Sequence, residues 1–142
     1  MSNAVLSNYV RWLLCPKTTE EERSILRSMS DKEKDDAFFQ DIEFGTAGMR
    51  GILGPGTNRL NRFTVKKASI AFALYLLETF KDVEKKSVAI AYDNRWFSPE
   101  FCELSAEILN DYGIDAYYFD SLRPTPELSF AVRELNCIGG IM

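Results

Sequence analysis

Apolar positions recur at helical spacing through the first forty residues, set among many charges. Val5 to Leu14 places Leu6, Tyr9, Val10, Leu13 and Leu14 near one helix face, and Pro16 stops it. Thr19 with Glu22 and Ser30 with Glu33 are two capping-box signatures, opening short helices that carry Ile25, Leu26, Met29, Phe38 and Phe39. The pattern predicts a helical arm over residues 1–40. Beyond a glycine-rich stretch, Thr64 is placed to cap a longer helix. There Val65, Ala68, Ser69, Phe72, Leu76 and Phe80 recur at three and four residues, and Ala71 and Ala73 widen the face.

The pattern then changes. Val88-Ala89-Ile90-Ala91-Tyr92 is a continuous apolar run, as in a strand buried on both faces. Ile114 to Phe119 is a second strand, and a third begins at Ile138. Ser98-Pro99-Glu100 and Thr125-Pro126-Glu127 each read as N-cap, proline and early acid, opening the helices between these strands. Phe101, Leu104, Ile108 and Leu109 form the buried stripe of the first, and Gly113 closes it. The alternation predicts an α/β class, a three-layer α/β/α domain with a mostly parallel mixed sheet over residues 41–142. Ligands of such sheets bind outside the carboxyl ends of the strands, which brings Asp93 to Arg95 and Asp120 to Arg123 to one edge.

The stretch from Phe44 to Arg62 holds five of the eight glycines and Arg50, Arg59 and Arg62. Clustered glycines mark positive φ values or a ligand lying close to the main chain. Arginine beside them offers a planar fork for phosphate or carboxylate. Gly45 to Gly51 around Arg50 reads as an anion-recognition loop, and Gly54-Pro55-Gly56-Thr57-Asn58 reads as hairpin turn chemistry. If the first loop reaches the carboxyl edge, Arg50, Arg95 and Arg123 converge there. Taken alone, Arg123 reads as a surface arginine before a turn.

Composition narrows the chemistry. With no histidine among 142 residues, Ser-His-Asp catalysis, Cys-His catalysis and histidine metal ligation are excluded for this chain. Cys15, Cys102 and Cys137 have neither zinc-site nor disulfide-framework spacing and read as free thiols of a cytoplasmic protein. A net charge of −4 with scattered basic residues argues against a nucleic-acid surface, and no apolar run is long enough to span a membrane. The oligomeric state is not legible.

Phe44-Gly45-Thr46-Ala47-Gly48-Met49-Arg50-Gly51 resembles the opening motif of the α-D-phosphohexomutase superfamily. The resemblance continues through Gly54-Pro55-Gly56-Thr57-Asn58-Arg59, Tyr92-Asp93-Asn94-Arg95 and Arg123-Pro124-Thr125-Pro126-Glu127-Leu128, nearest to the phosphoglucomutase/phosphopentomutase branch. It implies an intramolecular phosphotransferase that interconverts glucose 1-phosphate and glucose 6-phosphate. A phosphoserine, Mg²⁺ and a glucose 1,6-bisphosphate activator take part, and the partner is a phosphorylated sugar. Arg50 matches the arginine that reaches the reacting phosphate, Thr46 and Gly48 shape its loop, and Arg95 matches one that supports the catalytic serine loop. The resemblance also implies that the phosphoserine and metal loops lie beyond Met142. The chain then reads as a truncated first domain, inactive alone, with Mg²⁺ ligands outside it. The alternative is a free-standing, non-catalytic phosphosugar-binding or interaction module.

Overall fold

The computed structural model describes residues 2–46 and 48–142, arranged as two compact units, residues 1–64 and 65–142. In the first unit, three helices form the arm: α1 (Asn3–Leu14), α2 (Glu20–Ser28) and α3 (Asp31–Phe38). Both anticipated capping boxes are formed. The Thr19 hydroxyl accepts from the Glu22 amide while the Glu22 carboxylate accepts from the Thr19 amide, and Ser30 and Glu33 repeat the exchange.

The arm's core is Val5, Leu26, Ala37 and Phe38, joined by Tyr9, Trp12, Leu13 and Met29. The face expected of α1 is therefore rotated. Val5 is buried, whereas Leu6, Val10 and Leu14 are exposed, because Tyr9 and Trp12 turn inward to meet Phe38 edge-on at 5.8 and 6.1 Å. Arg23 donates to the Leu13 and Cys15 carbonyls, satisfying the C-terminus of α1. Ile25 and Phe39, expected inside, are exposed.

After the arm come two very short strands, β1 (Phe44–Gly45) and β2 (Gly48–Met49), paired antiparallel. Residues 51–61 then form an irregular loop organised on Asn61. Its buried side chain donates through Nδ2 to the Gly54, Gly56 and Arg59 carbonyls at 2.9, 3.0 and 3.2 Å. Its Oδ1 accepts from the Phe63 and Thr64 amides, so Asn61 rather than Thr64 caps α4 (Arg62–Thr79). Thr64 still takes part, accepting from the Asn61 amide in return.

The second unit continues α4 and adds β3 (Ser87–Ile90), α5 (Ser98–Asp111), β4 (Asp115–Tyr118), α6 (Thr125–Glu134) and β5 (Gly139–Ile141). The three strands are parallel in the order β4-β3-β5, with Ile90 opposite both Tyr118 and Ile141. β3 is buried along its whole length, as its apolar run predicted. Its side chains divide by parity. Val88 and Ile90 join Ala73 and Leu76 of α4 and Cys102, Ala106 and Leu109 of α5. Ala89 and Ala91 pack with Leu128 and Ala131 of α6. The result is the expected three-layer α/β/α arrangement.

Two helix starts fall one residue earlier than the sequence suggested. Ser98 and Thr125 are already helical, the capping positions are Phe97 and Pro124, and neither start has a side-chain cap. Gly113 follows α5 with φ +74°, as its identity implied. Among the described residues, no helix is long and apolar enough to cross a membrane.

Asn61→Asp should be nearly as damaging as Asn61→Ala. It keeps the cap acceptors but turns a carboxylate toward three carbonyls that had donors. Each should lower the unfolding free energy by about 2–4 kcal/mol, read from urea denaturation of purified protein.

Candidate functional site

The hairpin pairs Phe44 with Met49 and Gly45 with Gly48, and Thr46 lies in its turn. Thr46 is exposed, and Ala47 lies outside the described residues. Gly48, the first residue after the turn, has φ +92°, a conformation that glycine adopts readily. A Cβ built on Gly48 would meet nothing within 4 Å, so conformation rather than crowding accounts for the glycine. Gly51 differs: its Cβ would lie 2.7 Å from Ile42 Cδ1 and 3.5 Å from the Leu60 nitrogen.

Arg50 follows the hairpin directly and is exposed. How the other arginines are used sets it apart. Arg59 is buried against Asp36, at 2.5 Å from its carboxylate. Arg62 pairs with Glu22 at 2.8 Å, donates to the Lys17 carbonyl and stacks over Phe63. Arg11, Arg23, Arg27 and Arg133 bond to neighbouring side chains or carbonyls. Among the described residues, Arg50 is the one arginine with no hydrogen bond or ion pair. Of the three arginines in the glycine-rich stretch, two are therefore structural and one is available.

In the second unit, the carboxyl edge of the sheet carries the Asp93–Ser98 turn and the Asp120–Pro124 turn. Asp93 organises the first. Its carboxylate accepts from Arg95 Nε at 2.8 and 3.0 Å, from the Arg95 amide at 3.1 Å and from the Ser98 hydroxyl at 3.0 Å. Of the Arg95 guanidinium nitrogens, only Nε is bonded within the described residues, and the side chain is 71% exposed. The same turn holds Phe97 at φ 63°, an uncommon conformation for an aromatic residue. The Arg95 side-chain contact, above all, holds the Asp93 carboxyl below its ordinary range; desolvation opposes it, and the Arg95 amide and Ser98 hydroxyl add to the lowering.

Arg123 is spent locally. It donates to Ser121 and the Leu122 carbonyl at 2.7 and 2.9 Å and pairs with Glu127 at 3.1 Å. Its amide donates to the Tyr92 carbonyl, tying the two turns together. The surface-arginine reading of Arg123 fits these contacts. Cys102 is buried, its thiol pushed up to about 11 by desolvation, and all three cysteines are free. Among the described residues, no group of three carboxylates or thiols could hold a metal ion.

The second unit is a three-stranded parallel sheet with helices on both faces, and in the first unit Arg50 lies exposed after a glycine hairpin. The family is that of phosphoglucomutase/phosphomannomutase, α/β/α domain I, whose model matches residues 41–142, and the chain belongs to it. A phosphoglucomutase of Staphylococcus epidermidis (strain ATCC 35984) is 40% identical over 120 residues, 84% of this chain and 21% of that protein. A phosphoglucomutase of Staphylococcus aureus (strain USA300) is 42% identical over 113 residues, 80% of this chain and 20% of that protein. The chain thus spans about a fifth of the length of these relatives. No solved structure matches it significantly.

Sequence reasoning named Arg50, Arg95, Thr46 and Gly48 but missed Asn61 and the clamping role of Asp93. For Asn61 the available signal was an asparagine three residues before Thr64, the two ends of a reciprocal cap. For Asp93 it was a carboxylate two residues before an arginine and five before a serine at a helix start.

Because the Asp93 pKa is depressed in the folded protein, its contribution to stability is complete above the ordinary carboxyl value of 3.8 and disappears as pH falls through the lower folded value. The stability gap between wild type and Asp93→Asn should be constant above about pH 5 and close at lower pH. Urea titrations at a series of pH values measure it, and a gap that widens on acidification would contradict the clamp.

Proposed function

We propose that this chain forms the anion-holding part of the first domain of a cytoplasmic phosphohexomutase that interconverts glucose 1-phosphate and glucose 6-phosphate. The observation that carries the proposal is the guanidinium of Arg50, which has no hydrogen bond or ion pair among the described residues, beside a hairpin whose Gly48 takes a positive φ, while the other arginines have partners there. The names of the staphylococcal relatives support the choice of reaction.

In this reading a phosphoryl group passes from a phosphoserine to the free hydroxyl of the sugar monophosphate. The bisphosphate turns over, and its other phosphoryl group returns to the serine. Such transfers depend on in-line placement and on neutralising charge at the equatorial oxygens. Arg50 supplies two parallel N–H donors to the moving phosphate, and Gly48 with Thr46 sets the turn that presents them. Arg95, held by Asp93 through Nε alone, offers its terminal nitrogens as a positioning group. The nucleophilic serine is not assigned to any serine of this chain. When bound, Mg²⁺ would add to the charge neutralisation at the phosphate, and this reading assigns its ligands to no residue of this chain. Glucose 1,6-bisphosphate is the activator this cycle calls for.

In a full-length enzyme carrying this segment, Arg50→Ala should lower turnover by roughly 100- to 1000-fold, and Arg50→Lys should recover only part of it. A coupled glucose 1-phosphate assay measures it, and normal turnover in folded Arg50→Ala protein would remove the assignment. The 142-residue chain alone should show no turnover, with phosphosugar affinity at about millimolar or weaker. Isothermal titration and the same coupled assay test both statements.

A further inference from the structure

The hairpin that carries Arg50 is too small to hold itself in place. Its strands are two residues each, and isolated two-stranded ribbons are marginal in water even when much longer. Phe44 on the first strand is 75% exposed and adds little packing. The position of Arg50 must therefore be set by what its flanking backbone rests on, and that can be followed residue by residue within the first unit.

Gly51, directly after Arg50, lies with its α-carbon against the Ile42 side chain and the Leu60 backbone. The Leu60 amide donates to the Ile52 carbonyl at 2.9 Å, and the Ile42 amide donates to the Thr57 carbonyl at 2.8 Å. Both flanks of the hairpin thus hang on residues 57–60. That segment in turn is fixed to the end of α3. The Thr57 hydroxyl donates to the Gln40 carbonyl at 2.6 Å, and the Asn58 amide donates to the Ala37 carbonyl at 2.9 Å. Arg59 donates to the Asp36 carbonyl at 3.2 Å and to its carboxylate at 2.5 Å. Gly56 completes the seat, because a Cβ there would fall 2.7 Å from the Ala37 carbonyl oxygen. A buried arginine set against the last carbonyls of a helix also complements the negative end of its dipole.

We propose that the N-terminal helical arm is the fixture that sets the position of Arg50, and that Arg59, paired with Asp36, is the positioning residue of this device. The inference rests on the anion-binding reading of Arg50. It goes beyond that reading by giving the arm a role in binding. Arg59 does not touch the anion. It acts through Leu60, Thr57 and Ile42 on the backbone that presents Arg50.

The test uses the ¹⁵N-labelled 142-residue chain, titrated with inorganic phosphate and followed by NMR, with amide hydrogen exchange recorded separately. In wild type, saturable shifts are expected at the Gly48, Met49, Arg50 and Gly51 amides. Arg59→Met should weaken phosphate affinity by about tenfold and speed exchange at the Ile42 and Leu60 amides by about tenfold, while exchange within α1 is unchanged. Arg59→Lys, which keeps the charge but loses the fork, should recover only part of both effects. Wild-type affinity together with wild-type exchange in Arg59→Met would overturn the proposal. Should Arg59→Met fail to fold, Thr57→Val breaks the next link and is judged by the same two readings. Arg50→Ala separates the two ideas. Undiminished phosphate binding in that variant would sink the anion-binding reading, whereas the exchange rates would still decide whether Arg59 holds the hairpin.

Discussion

The carboxamide of Asn61 answers three demands of an irregular segment at once. A glycine-rich loop packed against a helix exposes no water-facing route for several of its carbonyls, and a buried carbonyl without a donor is costly. Nδ2 supplies donors to Gly54, Gly56 and Arg59, while Oδ1 begins α4 by accepting two of its free amides. No other side chain of that length carries both functions. A carboxylate lacks the donors, an aliphatic chain lacks everything, and glutamine would displace both groups by a methylene. The path of residues 51–61, and with it the start of α4, depends on this one planar group.

Around that loop the distribution of cationic groups is economical. The chain is net acidic, and eight of its nine arginines are occupied by carboxylates, hydroxyls or carbonyls in the described residues. Exposed ion pairs of this kind stabilise little. Arg23, Arg59 and Arg62 donate within the first unit and Arg123 within its own turn, whereas Arg50 makes no such bond among the described residues.

The α/β layering was legible because β3 is a run of apolar residues with no interruption, and because helices and strands alternate at lengths that leave few other arrangements. The capping boxes were legible because both partners are local in sequence. What escaped was set by tertiary contact. The inward face of α1 could not be read from spacing when apolar residues occupy most of its circumference, and Phe38 decided which of them turned in. Ser98 and Thr125 looked like caps because Ser-Pro-Glu and Thr-Pro-Glu satisfy the local pattern. In the fold the Ser98 hydroxyl is instead bonded to Asp93, and Pro124 has the extended backbone that precedes a helix. Arg50, Arg59 and Arg62 are chemically identical in the sequence. Only burial and partner geometry separate the structural pair from the available one.

The parity of β3 has a consequence for the shape of the second unit. Val88 and Ile90 face α4 and α5, while the opposite face offers only the methyl groups of Ala89 and Ala91 to α6. The layers are therefore unequal in depth. On the alanine side the helix rides close to the backbone, close enough that a Cβ on Gly140 would fall 2.8 Å from Val132. A thin layer has no slack. The deep side can redistribute a lost or gained methylene among several long side chains, whereas the shallow side must move α6 as a body, carrying the Asp120–Pro124 turn with it. Sequence drift in this unit should be absorbed beneath α4 and α5, and the β3 positions that face α6, Ala89 and Ala91, should remain small.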